Sequence, residues 1–130
     1  MATKYFLVAA SRDHVLKGIK GGFVQAGHGR KDYVSKFSKG DWVVYYSAKD
    51  RFENGKPLQR FTAIGQIVDD VPFQSTHNPD KESHEAEIRP LIEKLGFIRN
   101  KWRWGFYLMS GFREISKDDF EIISNAMKLT

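Results

Sequence analysis

The residues with the clearest chemical potential are gathered in a glycine-rich segment, 18–29. It holds five glycines in twelve residues, together with Phe23, Gln25 and His28. Glycines permit tight turns and a close approach of backbone N–H groups to a ligand, while the three side chains offer a stacking face and hydrogen-bonding edges. Two interpretations stay open: the segment is a binding loop, or its glycines only end a helix and turn a corner.

The residue types present do not favour covalent catalysis. The chain has no cysteine, which excludes thiolate nucleophiles and cysteine-ligated metals. Ser11, Asp13 and His14 are close in sequence, but neighbours on a short helix diverge by about 100°, so they cannot form a triad. The sequence after Gly18 also lacks the Gly-Lys-Ser/Thr ending of a phosphate loop. We therefore expect a binding protein without catalytic residues, metal or cofactor.

Aromatic residues offer a second candidate binding surface. Adjacent Tyr45 and Tyr46 must face opposite sides of one strand, so only one of them can line a given pocket. Trp102 and Trp104 cannot both be central to a small core. A planar ligand such as a nucleobase gains roughly 1–3 kcal/mol by stacking on one ring.

The charge of the chain favours a polyanionic partner. The formal net charge is +5, and residues 1–65 carry 12 Lys and Arg against 5 Asp and Glu. A basic surface attracts nucleic acid, although many other soluble proteins are equally basic. The apolar run 5–10 is too short for a signal peptide or a membrane helix, so we expect a cytoplasmic monomer with no membrane partner.

These residues need a scaffold, and 130 residues suit one domain, 1–130. Apolar and aromatic runs predict strands, and apolar spacing with capping residues predicts short helices. The predicted strands are 4–10, 42–47, 60–68, 71–74 and 102–109, and the predicted helices are 14–20, 88–95 and one that begins after Ser116. Short strands interspersed with short helices indicate an α+β fold built on a curved sheet or small barrel.

Polar residues set the boundaries of several elements. Ser11 or Asp13 is placed to cap the first helix, and Ser116 to cap the last, with Asp119 three residues on. Residues 75–87 are almost entirely polar and predict a solvated loop. Their histidines and carboxylates could also bind a divalent ion, which is the less favoured interpretation.

Six spaced strings, in order along nearly the whole chain, carry a resemblance to a known family. They are VAASRDHV (8–15), GGFVQAGHG (21–29), KGDWVVYYS (39–47), FTAIG (61–65), IRPL (88–91) and WG (104–105). Together they resemble the EVE domain family of the PUA-like superfamily, which is similar to YTH domains. The acidic loop 75–87 departs from that pattern and weakens the case for a continuous basic groove on its side.

The resemblance implies a PUA-like mixed β pseudo-barrel with flanking short helices, and a reader of a modified base, such as modified cytosine, in DNA or RNA. Carried onto this chain, it implies a base pocket formed by Ser11, His14, Gly22, Phe23, Gln25, His28, Tyr46, Ser47 and Trp104. Phosphate contacts would come from Arg12, Lys20, Arg30 and Lys31. The alternative is a pocket for a free nucleoside or another planar metabolite, with the basic charge incidental.

Overall fold

The computed structural model describes residues 3–21, 40–66, 74–75, 85–109 and 111–127, with backbone alone for 17–21 and 74–75. Most of the glycine-rich segment and of the polar loop lie outside these ranges. The same holds for residues 67–68 and 71–73 of the predicted strands.

Six strands of the described chain form one mixed sheet. They are β1 (Tyr5–Ala9), β2 (Trp42–Lys49), β3 (Pro57–Gln66), β4 (Gln74–Ser75), β5 (Ala86–Glu87) and β6 (Phe112–Ile115). The order is β4-β3-β2-β1-β6, and β5 pairs with the other end of β3. β1 and β2 are parallel, whereas the remaining pairs are antiparallel.

The sheet is buried on both faces because its central strands are apolar at successive positions. Leu7 and Val44 belong to one core cluster, whereas Phe6 and Val43 belong to the other. Strands that alternate between two buried faces read as continuous apolar runs, which is why β1 and β2 were predictable. Tyr46 lies in the first cluster and Tyr45 in the second, as the alternation requires.

Among the described residues, one α-helix packs against each of the two core clusters. Helix α1 (Arg12–Gly21) begins two residues before its predicted start and buries Val15 against the cluster that contains Phe6. Helix α2 (Lys117–Met127) buries Phe120 and Ile123 in the opposite cluster. With the mixed sheet, these helices confirm the predicted α+β class.

The start of α2 confirms Ser116 as the capping residue but gives Asp119 a different role. Ser116 Oγ accepts the N–H of Asp119 at 3.1 Å, so Ser116 is the N-cap. The carboxylate of Asp119 does not return to Ser116. It accepts the backbone N–H groups of Gly96 (2.8 Å) and Phe97 (2.9 Å) and thereby fixes a distant turn.

The predicted strand 102–109 is wrong, because Lys101–Leu108 forms consecutive 3₁₀ turns. Asn100 precedes them, and its side-chain oxygen accepts the N–H groups of Trp102 (3.1 Å) and Arg103 (3.4 Å). Because these donors find a local acceptor, the segment needs no strand partner there. Alternating aromatic residues suggested a strand, but Trp102 is 96% exposed.

Two further predictions need correction. Residues 88–95 hold a 3₁₀ turn, Arg89–Leu91, and further turns instead of an α-helix, although the predicted inward residues Leu91, Ile92 and Leu95 are buried. The polar loop is not solvated throughout, because Glu87 is exposed but Glu85 is not. The Glu85 side chain is only 2% exposed because Arg12 and Arg60 lie beside it, and the residues after it pair with β3.

Among the described residues, no helix combines the length and apolar character needed to cross a membrane.

Candidate functional site

A cavity of about 540 Å³ opens where the parallel strands β1 and β2 reach their carboxyl ends. Ala9 pairs with Tyr46, and the N–H of Ala10 donates to the Tyr46 carbonyl at 3.0 Å, which holds the two strand ends together. Binding sites are common at this edge of a sheet because loops leave the strands there and diverge. The walls come from β1, β2, β3, the start of α1, and the 3₁₀ segment.

Four of the residues implied by the family resemblance line this cavity: Ser11, His14, Tyr46 and Trp104. They come from three separate parts of the chain, and the fold brings them together. Their roles in binding stay predictions.

Two of the other predicted residues are described with their side chains, and neither lines the cavity. Ser47 is fully buried, and its hydroxyl shares a 2.8 Å hydrogen bond with that of Thr62, so it faces the core. Arg12 donates from Nε to Glu85 at 2.7 Å and so forms an ion pair away from the cavity lining. Six residues lie outside the described chain, namely Gly22, Phe23, Gln25, His28, Arg30 and Lys31. Lys20 is in α1, but its side chain is not described.

Tyr46 contributes a buried hydroxyl-bearing ring to the cavity. It is 3% exposed and packs edge-on against Phe61 at a centroid distance of 5.6 Å. Burial raises its pKa to about 12, against the opposing effect of the Arg89 charge. The hydroxyl therefore keeps its proton at neutral pH and serves as a hydrogen-bonding group, not as a base.

Trp104 is held in place by Arg89. The Arg89 guanidinium carbon lies over the indole at 5.4 Å from the ring centroid, within the range of a cation–π contact. The Nε of the same arginine donates to Gln59 Oε1 at 2.8 Å. One cation therefore orients both an aromatic wall and a polar group of the cavity.

Gln59 is a lining residue that the sequence analysis missed. Its φ of 57° places it in the left-handed region, which few non-glycine residues adopt inside a strand. Because Arg89 Nε can only donate, the oxygen of the Gln59 amide must face it, and the NH₂ group is directed elsewhere. Gln59 thus brings to the cavity wall an amide whose oxygen is held by Arg89.

Two stacked rings, His14 and Phe52, form another part of the cavity lining. His14 and Phe52 stack with their centroids 5.1 Å apart and their planes 21° from parallel. Phe52 remains 53% exposed. Lys49 and Arg51, both exposed, also line the cavity and bring positive charge to its mouth. The aromatic and basic composition of 49–52 was the available signal for this rim.

The rim loop, residues 50–56 between β2 and β3, is closed by hydrogen bonds between Asp50 and Lys56. Asp50 accepts the Lys56 N–H through its side chain at 2.7 Å and donates its own N–H to the Lys56 carbonyl at 3.1 Å. At Gly55, an added Cβ would meet the Arg51 carbonyl oxygen at 2.1 Å, so only glycine fits.

Asp13 joins this loop to the start of α1. Its Oδ1 accepts the Ser11 hydroxyl at 2.5 Å, the His14 N–H at 2.9 Å and the Phe52 N–H at 3.2 Å. Its own N–H donates to the Asp50 carbonyl at 3.0 Å. The hydrogen bond from Ser11 is the main cause that holds the pKa of Asp13 below its ordinary value of 3.8.

Acid is therefore expected to loosen the rim. A carboxyl group whose pKa is lower in the folded state stabilises the fold above pH 3.8, and this contribution is lost as the pH falls through the lowered value. We expect Asp13→Asn to flatten the decline in the free energy of unfolding below pH 4, measured by urea denaturation. Asp50→Asn is the control, since it removes a carboxylate from the same loop but leaves Ser11 paired. Equal acid sensitivity of the Asp13→Asn and native chains would contradict this assignment.

Known proteins resemble this chain over most of its length. Residues 4–126 match the EVE domain. The chain is similar to UPF0310 proteins of Mycolicibacterium vanbaalenii (44% identity; 90% of this chain, 88% of the relative) and Mycolicibacterium gilvum (45%; 90% of each). It is also similar to a UPF0310 protein of Bacillus subtilis (38%; 98% of this chain, 94% of the relative). The chain therefore belongs to the EVE domain family, which has a PUA-like fold, as its sequence predicted.

Proposed function

We propose that this EVE domain is a non-enzymatic reader that takes one modified nucleobase of DNA or RNA into the cavity beside Trp104. The observation that carries the proposal is the combination of an indole wall, a buried neutral hydroxyl and an oriented amide around about 540 Å³ of space. Membership of the EVE family supports a binding domain of the PUA-like type.

Stacking and edge recognition are divided between different side chains. A base on the indole face opposite Arg89 gains roughly 1–3 kcal/mol, which offsets much of the few kcal/mol needed to unstack it. The Gln59 NH₂ group then donates to an acceptor on the base edge, and the Tyr46 hydroxyl adds a second polar contact. An extra group on the base is distinguished by whether it fits the apolar space that remains.

Phosphates lie at the mouth of the cavity in this proposal. Lys49 and Arg51 are exposed and adjacent to the opening, whereas Arg12 is engaged with Glu85. The basic role that the resemblance implied for Arg12 therefore passes to these two residues.

A small-molecule pocket is the second candidate, and the cavity volume favours it. A volume of about 540 Å³ exceeds the needs of one base and falls within the range of pockets for drug-sized ligands. A free nucleoside would use the same stacking face and the same amide, and the charge at the mouth would contribute little.

The deciding experiment is a binding series across ionic strength. Nine-nucleotide single strands with a central 5-methylcytosine, 5-hydroxymethylcytosine or N6-methyladenine are compared with unmodified strands and with the free nucleosides. We expect one modified strand to bind more tightly than its unmodified counterpart, with an affinity that falls steeply as salt rises. Equal binding of every strand would overturn the reader proposal. Salt-independent binding of a nucleoside, with no preference among strands, would favour the small-molecule pocket.

Gln59→Glu tests the edge contact. The substitution keeps the side-chain length and the contact with Arg89 but replaces the NH₂ donor with a second acceptor oxygen. We expect roughly tenfold weaker binding of the preferred modified strand, since a donor is lost and a carboxylate meets the acceptor on the base. Asn125→Asp makes the same change of charge on the exposed side of α2. Equal losses in both variants would show that charge alone was responsible.

A further inference from the structure

The stretch between Glu93 and Glu114 is distinct in composition. It contains no acidic residue, five Lys or Arg, and six aromatic residues, and of these basic and aromatic residues only Trp104 lines the cavity. Interleaved basic and aromatic residues are typical of surfaces that bind single-stranded nucleic acid, where cations contact phosphates and rings stack with bases.

Two of these aromatic residues are exposed on a segment that is firmly held. Trp102 is 96% exposed and Phe106 is 65% exposed. Lys101 anchors the segment, because its Nζ donates to the carbonyls of Ile92 and Leu95, each at 2.9 Å. Two large exposed rings on one anchored turn are typical of a binding surface, because exposing apolar area to water is unfavourable.

Basic side chains and a small cleft accompany the two rings. Arg99 and Arg103 are exposed, and neither has an ion-pair partner among the described residues. Arg103 and Phe106, with Asn100 and Tyr107, line a cleft of about 140 Å³. The positive charge is complementary to a phosphate backbone.

This surface lies on the same 3₁₀ segment as one wall of the large cavity. Trp104 and Gly105 line the cavity and belong to the same 3₁₀ segment as Trp102 and Phe106. Trp102 and Trp104 are two residues apart, so their Cα atoms lie within about 7 Å of each other.

We propose that Arg99, Trp102, Arg103 and Phe106 form a strand-binding surface, which holds the nucleotides beside the base in the cavity and requires them to be single-stranded. Trp102 and Phe106 stack on neighbouring bases, and the two arginines contact the phosphates between them. Bases within a duplex already stack on each other, so their faces cannot reach these rings. The inference rests on the proposed function in one respect, namely that the cavity takes a base from the same strand.

Tryptophan fluorescence separates the two proposals. In Trp104→Phe protein, acrylamide quenching reports mainly on exposed Trp102; in Trp102→Phe protein it reports on Trp104, with half-buried Trp42 common to both. The probes are nine-nucleotide oligothymidylate and oligouridylate, a nine-base-pair DNA duplex, and the modified strand that binds best in the series above. We expect both single strands to shield Trp102 and the duplex to leave it quenchable.

Each outcome of the fluorescence experiment supports or overturns a named proposal. If the modified strand shields Trp104 while no strand shields Trp102, the strand-binding surface is overturned and the reader proposal stands. If single strands shield Trp102 but no strand or nucleoside shields Trp104, the surface stands and the cavity proposal fails. Equal shielding of Trp102 by duplex and single strand would overturn the single-strand requirement.

Variants give the size of the effect. We expect Trp102→Ala to weaken oligothymidylate binding by about 5- to 150-fold, the range for one base stack. Arg99→Gln with Arg103→Gln should lower the slope of log affinity against log salt by about 1.4, or 0.7 for each phosphate contact. Lys117→Gln, which removes a charge from α2, is the control. A slope equal to that of the control would overturn the assignment of the two arginines.

Discussion

Trp104→Ala is expected to weaken binding of the preferred modified strand by roughly 5- to 150-fold, the effect of losing about 1–3 kcal/mol of stacking. The substitution removes an indole that lines the cavity and lies under the Arg89 guanidinium. Arg89 also orients the Gln59 amide, so its release disturbs the edge contact as well. We therefore expect preference for the modified base to be lost along with affinity, as fluorescence anisotropy of labelled strands would measure.

The matched variant for this test is Trp104→Phe. Phenylalanine retains a stacking face and a cation–π partner for Arg89, although both are weaker than with tryptophan. It should keep most of the affinity and all of the preference. If Trp104→Ala binds modified and unmodified strands as the native chain does, the base lies elsewhere and the proposed site is wrong.

Asp119→Ala is expected to lower the free energy of unfolding by roughly 3–5 kcal/mol. The side chain is buried, and its two carboxylate oxygens accept the N–H groups of Gly96 and Phe97. Hydrogen bonds to a charged group contribute about 1.5–3 kcal/mol each, and alanine leaves both donors without this acceptor. Since small domains are stable by only about 5–15 kcal/mol, urea denaturation would detect this loss easily.

Two comparisons make the Asp119 result specific. Asp119→Asn retains one acceptor oxygen and should lose roughly half as much stability. Ser116→Ala removes only the N-cap of α2 and should cost about 1 kcal/mol. A loss in Asp119→Ala no larger than that in Ser116→Ala would mean that the bonds to the turn contribute nothing.

The predicted strands show which elements of the sheet can be found from local sequence patterns. β1, β2 and β3 were found because apolar and β-branched runs reflect burial on a sheet, which the sequence records directly. β6 (Phe112–Ile115) was missed, since four residues give too short an alternation and its pairing with β1 is a distant contact. The error at Lys101–Leu108 has a different origin. The Asn100 side chain satisfies the backbone donors there, and an aromatic alternation cannot reveal that.

The site divides in the same way. The family resemblance predicted the four lining residues Ser11, His14, Tyr46 and Trp104. Composition alone could not have shown that they lie in one site. Phe52 and Gln59 were missed because one lies in a loop and the other depends on an unusual backbone angle. Asp119 was assigned to a helix cap by its spacing from Ser116. Its true partners lie more than 20 residues earlier in the chain, beyond any local pattern.

The left-handed backbone of Gln59 has an evolutionary consequence. A non-glycine residue in that conformation costs about 1 kcal/mol or more, and glycine would relieve the strain. Glycine would also remove the amide that Arg89 orients. Selection for thermal stability alone and selection for recognition therefore act in opposite directions at this position. Lineages that keep glutamine here despite the strain would be those in which recognition is under selection.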